Sequence, residues 1–327
     1  MRIKLATATA MSLALGGIAL AASHTADMKI PTVVKISGIQ WFNRMEEGVK
    51  QFAEESGVDA FQVGPASADA QLQVQLLEDM IAQGPAAITV VPFSPEAVEP
   101  VLQRAMEQGI KVVTHEASSI ENADYDIEAF TNSDYGEAIM KNLASCMEEE
   151  GEYAVFVGSL TSKSHNEWVD AAVEYQKANF PNMTLVGDKN ETFDDQQQAY
   201  AKTQELLRTF PDLKGFQGSA STDVAGVGLA VEERGMEDAT CVMGTSLPSI
   251  SSQYLETGAV DAIYFWDPAT AGRAMNALAL KLVEGEEIAD GLDLGLEGYE
   301  SMKLDGKVLF GEAYVEVTND NKDQYPF

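Results

Sequence analysis

The chain has 327 residues with 52 acidic against 21 basic side chains, a formal charge of -31. That length suits two domains of ordinary size with separate cores. The charge disfavours nucleic acid and anionic lipid as partners by simple repulsion, and it reads as a solvated surface in a salty compartment.

At the start, Arg2 and Lys4 precede an uncharged, mostly apolar run, Leu5 to Ala21, that ends in the small-x-small sequence Ala19-Leu20-Ala21. This pattern predicts a cleavable export signal over residues 1–21 and a mature chain that resides in the periplasm. The run is too short and too alanine-rich for a good membrane span, and no later segment approaches about 20 apolar residues. No cysteine lies near the cut, which argues against a lipid anchor.

From residue 31 onward, short β-branched apolar runs alternate with amphipathic helical patterns, the pattern of parallel strands joined by helical crossovers. The first series predicts strands near Thr32–Ile36, Ala60–Val63, Ala87–Val91, Lys111–Thr114 and Ala129–Asn132, with helices near 41–56, 69–83 and 95–108. After a helix around 135–149, a second series follows, with strands near Tyr153–Val157, Thr184–Val186, Gly215–Gln217, Cys241–Gly244 and Ala262–Trp266. A long helix over Ala269–Glu284 and two short strands, Val308–Phe310 and Ala313–Val317, finish the chain. The fold class expected is therefore α/β, with two Rossmann-like doubly wound lobes and a ligand cleft between them. The expected lobes are 28–131 plus 269–301 and 132–268 plus 302–327. Cys146 and Cys241 enter an oxidising compartment and either pair or stay two separate buried thiols; neither has a CxxC spacing.

Open α/β sheets bind ligands at the carboxyl ends of their strands. The residues just past those ends are Lys35, Trp41 and Phe42 from the first strand and His115 and Glu116 from the fourth. The second series contributes Ser164, His165 and Asn166, then Ser219 and Ser221, and finally Trp266 and Asp267. Aromatic faces mixed with hydroxyls, an amide, carboxylates and one ammonium suit a sugar or polyol: carboxylates and amides bond vicinal hydroxyls, and rings cover the C–H face. Lys35 is expensive to bury unless Glu116 or Asp267 balances it, and a purely structural ion pair would satisfy the same need. Trp168, about one helical turn into its helix, reads as a support beneath the loop rather than a wall.

At these positions the chain resembles the periplasmic substrate-binding proteins of ABC transporters, in particular the branch holding the autoinducer-2-binding and rhamnose-binding proteins. The resemblance rests on VVKISGIQWF, GIKVVTHEAS, NEWV at Asn166–Val169, FWDP at Phe265–Pro268 and the terminal NKDQYPF, in that order along the chain. It implies a hinge of three crossings, with Asn132 in it, and capture of a small sugar or polyol for delivery to an ABC transporter permease. Lys35, Trp266 and Asp267 match the family's cleft residues. Glu116 stands for an aspartate of the autoinducer-2 binders, and His115 before it for a tryptophan. Ser164 and His165 replace an aspartate–glutamine pair, and Ser219 and Ser221 a proline and an alanine. These departures favour another sugar, with autoinducer-2 uptake as the alternative.

A monomer with no cofactor and no metal is expected, with a chemoreceptor as a further candidate partner. No nucleophile elbow, P-loop, HExxH or dinucleotide fingerprint supports an enzyme. The export signal and the acidity oppose a DNA-binding regulator, and the Asp320–Asp323 segment lacks the glycine of a calcium loop.

Overall fold

The computed structural model describes residues 28–327, so the expected signal segment lies outside the described residues. Strands β1 (Lys29–Val33), β2 (Asp59–Val63), β3 (Ala87–Val90), β4 (Lys111–His115) and β5 (Tyr125–Glu128) alternate with helices α1 (Gln40–Ser56), α2 (Ala70–Ile81) and α3 (Pro95–Glu107). The chain then enters α4 (Asn132–Cys146), β6 (Glu150–Val157), α5 (Lys163–Asn179), β7 (Asn182–Leu185), β8 (Asn190–Glu191) and α6 (Gln196–Thr209). It continues through β9 (Leu213–Gly218), α7 (Asp223–Glu232), β10 (Cys241–Thr245), α8 (Pro248–Thr257), β11 (Ala262–Phe265) and α9 (Pro268–Glu284). Strands β12 (Lys303–Asp305), β13 (Val308–Phe310) and β14 (Val315–Val317) end it.

One sheet has the order β12-β13-β5-β4-β3-β1-β2, the other β14-β11-β10-β9-β6-β7 with β8 on β6. The pairings are parallel except at β12–β13 and β11–β14. Central strands covered by helices on both faces are buried along their length, as in β3, where the one polar side chain, Thr89, has its hydroxyl bonded to that of Thr32. The helices are one-sided: α1 buries Trp41, Phe42, Met45, Val49 and Phe52, spaced to share one face. Where α1 meets α9 the backbones touch, because a Cβ on Gly48 would collide with the carbonyl oxygen of Ala269. Asp69 and Asp195 cap α2 and α6 by accepting from backbone N–H groups of the first turn.

The chain crosses between lobes three times, after β5, after β11 and between β13 and β14. Each crossing carries an aromatic ring into one cluster: Phe130 from the first, Trp266 from the second and Tyr314 from the third. Phe130 lies 5.0 Å from Trp266 and 5.5 Å from Tyr314, centroid to centroid, edge to face.

Three expectations shift. The fifth strand is Tyr125–Glu128, not Ala129–Asn132; Ala129 and Phe130 are apolar because they are buried in the hinge. The first strand ends at Val33, so Lys35 stands past it. Residues 303–310 extend the first sheet rather than the second lobe, since β13 pairs with β5. Among the described residues no helix is long and apolar enough to cross a membrane.

Cys146 and Cys241 form a disulfide that ties the end of α4 to the start of β10 across 95 residues of chain. Closing a loop of that length restricts the unfolded chain and stabilises the fold by about 2–4 kcal/mol. Urea unfolding of a Cys146→Ser, Cys241→Ser double variant should show that loss; an unchanged midpoint would count against a stabilising bridge.

Candidate functional site

Between the lobes, the ends of β1 and β4 face the ends of β6, β8, β9 and β10 around a small cavity. Lys35, Trp41, Phe42 and Glu116 line it from the first lobe. His165, Trp168, Asp194, Ser219, Ser221 and Thr245 line it from the second, and Trp266 enters from the crossing. The lobes stand close, leaving about 10 Å³ inside, room for a single water. A wider groove of about 580 Å³ lies outside it, lined by residues such as Ile36 and Ile39 on one lobe and Phe193 and Ile250 on the other. Asp194 borders both spaces.

Lys35 is 4% exposed, and its Nζ lies 3.1 Å from Asp194 Oδ1 on the opposite lobe. Burial opposes the ammonium charge, but Asp194, Glu116 and Asp223 outweigh it and hold the pKa above the ordinary lysine value. The two carboxylates of the cavity sit on strained backbone: Glu116 has φ of 60° and Asp194 of 54°, left-handed conformations uncommon outside glycine. Such strain persists where the surrounding structure holds it, and it concentrates at ligand sites. Glu116 Oε2 accepts from Ser164 Oγ across the cleft at 3.1 Å. Asp194 Oδ2 and Ser219 Oγ are buried and lack a partner.

His165 is anchored from behind, its Nδ1 accepting the backbone N–H of Gly158 at 3.0 Å. A neutral imidazole with Nδ1 occupied as acceptor carries its proton on Nε2. Burial and the charge of Lys35 push its pKa well below the usual histidine value. Ser219 and Ser221 stand on a loop that Asp223 organises, accepting from the N–H groups of Ser219 and Ala220 and the hydroxyl of Thr192. Burial raises the Asp223 pKa to about 7 against those bonds.

Some of the expected residues stand elsewhere. His115 is a structural histidine: Nδ1 donates to the Ile127 carbonyl at 2.5 Å and Nε2 accepts the Trp266 indole N–H at 3.2 Å. Asn166 turns away from the cavity, donating to the carbonyls of Ser159 and Ser162. Asp267 is held by both Arg44 Nε and Nη2, at 2.8 and 2.9 Å, and caps α9, so Asp194 takes its place beside Glu116 in balancing Lys35. Ser164 is not among the residues lining the cavity and donates to Glu116 Oε2. Asn132, in the first crossing, donates to Glu167 Oε2 at 2.8 Å and accepts from Trp168 Nε1 at 2.6 Å. Trp168 therefore both lines the cavity and is pinned to the hinge, rather than only supporting a loop. Asp194 and Thr245 are lining residues missing from the expected set. Asp194 follows a two-residue strand with no apolar run to mark it; the Asp194-Asp195 step into a helix start was the available signal.

Residues 30–287 match the family described as periplasmic binding protein domain. The chain belongs to the periplasmic binding protein family. Proteins of this family bind solutes and are not enzymes. A D-xylose-binding periplasmic protein of Haemophilus influenzae is 28% identical over 138 residues, 42% of this chain. The chain thus spans 41% of that relative's length. LsrB from Clostridium saccharobutylicum, solved in complex with AI-2, shares the fold with a TM-score of 0.85 and 20% identity over 92% of this chain and 100% of its own. A solute-binding protein from Clostridium phytofermentas with bound L-rhamnose has a TM-score of 0.82 and 20% identity, covering 91% of this chain and 98% of that one. This periplasmic binding protein therefore has the two-lobed α/β architecture expected from the two series of alternating strands and helices.

Behind the cavity, Asp126 and Glu128 point to one side of β5, both buried. Burial raises Asp126 to about 6, although the Thr114 hydroxyl at 2.7 Å and the Ala117 N–H oppose the shift. Burial and the neighbouring carboxylates Asp126, Glu116 and Glu167 push Glu128 well above the usual range. The folded protein thus holds a proton on Asp126 that the unfolded chain, titrating near 4, releases. Stability from this group is full below about pH 4 and is lost as pH rises through about 6. Asp126→Asn should be more stable than the parent by about 1–3 kcal/mol at about pH 7.5, with the gap closing near pH 4. Urea titrations at both pH values test this, and a gap independent of pH would contradict it.

Proposed function

We propose that the protein is the solute-binding component of an ABC importer, taking up a neutral monosaccharide in the periplasm and handing it to a membrane permease. The observation that carries this reading is the pair of buried, unpartnered polar atoms, Asp194 Oδ2 and Ser219 Oγ, in a cavity walled by three tryptophans. Buried polar atoms without partners are costly, and a polyhydroxylated ring supplies hydroxyls to them while its C–H faces meet indole. Two carboxylates against one ammonium disfavour an anionic solute. The relatives that bind D-xylose and L-rhamnose support a pentose or deoxyhexose. AI-2 is the second reading, favoured by the likeness in shape to an AI-2-bound protein.

In this reading the ligand enters by the outer groove with the lobes apart. Closure brings Asp194 and His165 against Lys35, and Ser164 against Glu116, with the sugar between. The lobes rotate about the aromatic cluster at the three crossings, which stays packed in both positions. A permease and a chemoreceptor would each read the closed form by its outer lobe surfaces.

A thermal-shift and tryptophan-fluorescence screen over pentoses, hexoses, deoxysugars, polyols and AI-2 tests the reading, since a ligand of the folded state raises the melting temperature by mass action. At least one neutral sugar should raise the melting temperature and change the fluorescence saturably. Asp194→Asn should then weaken binding by about tenfold to a hundredfold, the cost of losing a charge-assisted hydrogen bond. Asp267→Ala, outside the cavity, should cost about 1 kcal/mol of stability as a lost cap and leave affinity within about threefold. Stabilisation by AI-2 alone would favour the second reading, and the reverse order of the two variants would refute the site.

A further inference from the structure

Successive residues at the end of a strand face opposite sides, and the end of β11 separates two spaces in this way. Trp266 lines the cleft cavity, whereas its neighbours Phe265 and Asp267 line a separate pocket at the hinge, of about 240 Å³ against about 10 Å³ in the cleft. Four further rings, Tyr299, Tyr314, Tyr325 and Phe327, complete its walls. Those walls are held in place from both lobes. Phe265 pairs with Val315 of β14, and Tyr325 and Phe327 stand edge-on to it at 5.2 and 5.7 Å. On the first-lobe side, in the loop before β12, the Gly298 carbonyl accepts the Glu312 N–H at 2.8 Å. Glycine with φ of 81° permits that approach, since a Cβ at 298 would lie 2.5 Å from that of Ala313.

The charges of this pocket have one sign. Asp267, Glu297 and Glu312 line it, and no lysine or arginine does. Arg44, just outside, is already matched by Asp267 and Glu47. Its guanidinium lies 4.1 Å from the centroid of the Phe327 ring, so one ring of the wall already holds a cation over its face. Glu297 and Glu312 are exposed at the rim, and among the described residues neither pairs with a basic side chain. The wall also carries a buried polar atom without a partner, the hydroxyl of Tyr299, a residue 1% exposed. Aromatic faces attract a cation through their quadrupole and the carboxylates add to that field, whereas a neutral solute gains only buried area and an anion is repelled. We propose that the hinge pocket is a second binding site, separate from the cleft, for a small organic ammonium ion. The rings take up its methyl or methylene groups, and Glu297 and Glu312 balance its charge.

The test is calorimetry of the purified protein with choline and with 3,3-dimethylbutan-1-ol, which has the same shape with carbon in place of the charged nitrogen. Choline should bind about tenfold more tightly than the neutral isostere, the advantage of a cation partly desolvated against several rings. Its affinity should fall as salt is raised, because the carboxylates at the rim are screened. Replacing Glu297→Gln and Glu312→Gln together keeps the backbone bond between residues 298 and 312 and removes two charges. That double variant should bind choline about fivefold more weakly and the isostere as before. Absence of choline binding, equal binding of the two probes, or choline binding unchanged in the double variant would each overturn the site, the last by placing choline elsewhere, the tryptophan-lined cleft included. The comparison of the two probes on the unmodified protein needs no variant to fold, and none of these outcomes bears on sugar capture in the cleft.

Discussion

A lysine ammonium set almost completely out of water is the constraint around which the two lobes are arranged. Burying a charge without compensation costs far more than a folded domain can spare. Lys35 escapes that cost because Asp194 reaches it from the other lobe and Glu116 adds its field from the next strand end but one in the sheet. Both carboxylates are delivered by left-handed backbone. The fold thus accepts strain at two loops to place opposite charge around one cation, and the cavity lies where those strained loops meet.

The alternation of apolar runs and helical periods places most of the strands and the helices of the first lobe, because central parallel strands are buried on both faces and helices on one. The positions that misled share one cause: apolar residues buried for another purpose. Ala129 and Phe130 look like a strand yet belong to the hinge, and Val34 and Ile36 extend the apparent first strand into a loop. Strand β13 was visible, but its partner was not, since three residues carry no information about which sheet edge they join.

The site divided in the same way. Lys35, Glu116, His165 and the tryptophans could be collected because they follow strong strands, whose ends fix where a cleft can be. Asp194 follows a two-residue strand and was invisible to periodicity. Asp267 and Asn166 have the right chemistry at the right distance from a strand, but their side chains are committed locally, to Arg44 and the α9 cap and to carbonyls in their own turn. Strand-end position selects a neighbourhood; the direction of a side chain depends on hydrogen bonds that a sequence does not display.

The contacts between the lobes are of two kinds, and their separation explains how the molecule can open without coming apart. At the crossings they are aromatic, with Phe130, Trp266 and Tyr314 in edge contact and Trp41 against Trp266 at 4.7 Å. Area buried there is lost to water if the rings separate, so rotation that keeps them packed is the inexpensive motion. At the cleft they are polar, such as Glu116 with Ser164 and Ser118 with Glu167. Each polar contact is worth little net, because water or a ligand hydroxyl replaces the lost partner. An interface whose axis is packed by aromatic rings and whose cleft is bridged by exchangeable hydrogen bonds yields first at the cleft. It also closes most firmly on a solute that returns the hydrogen bonds the lobes give up.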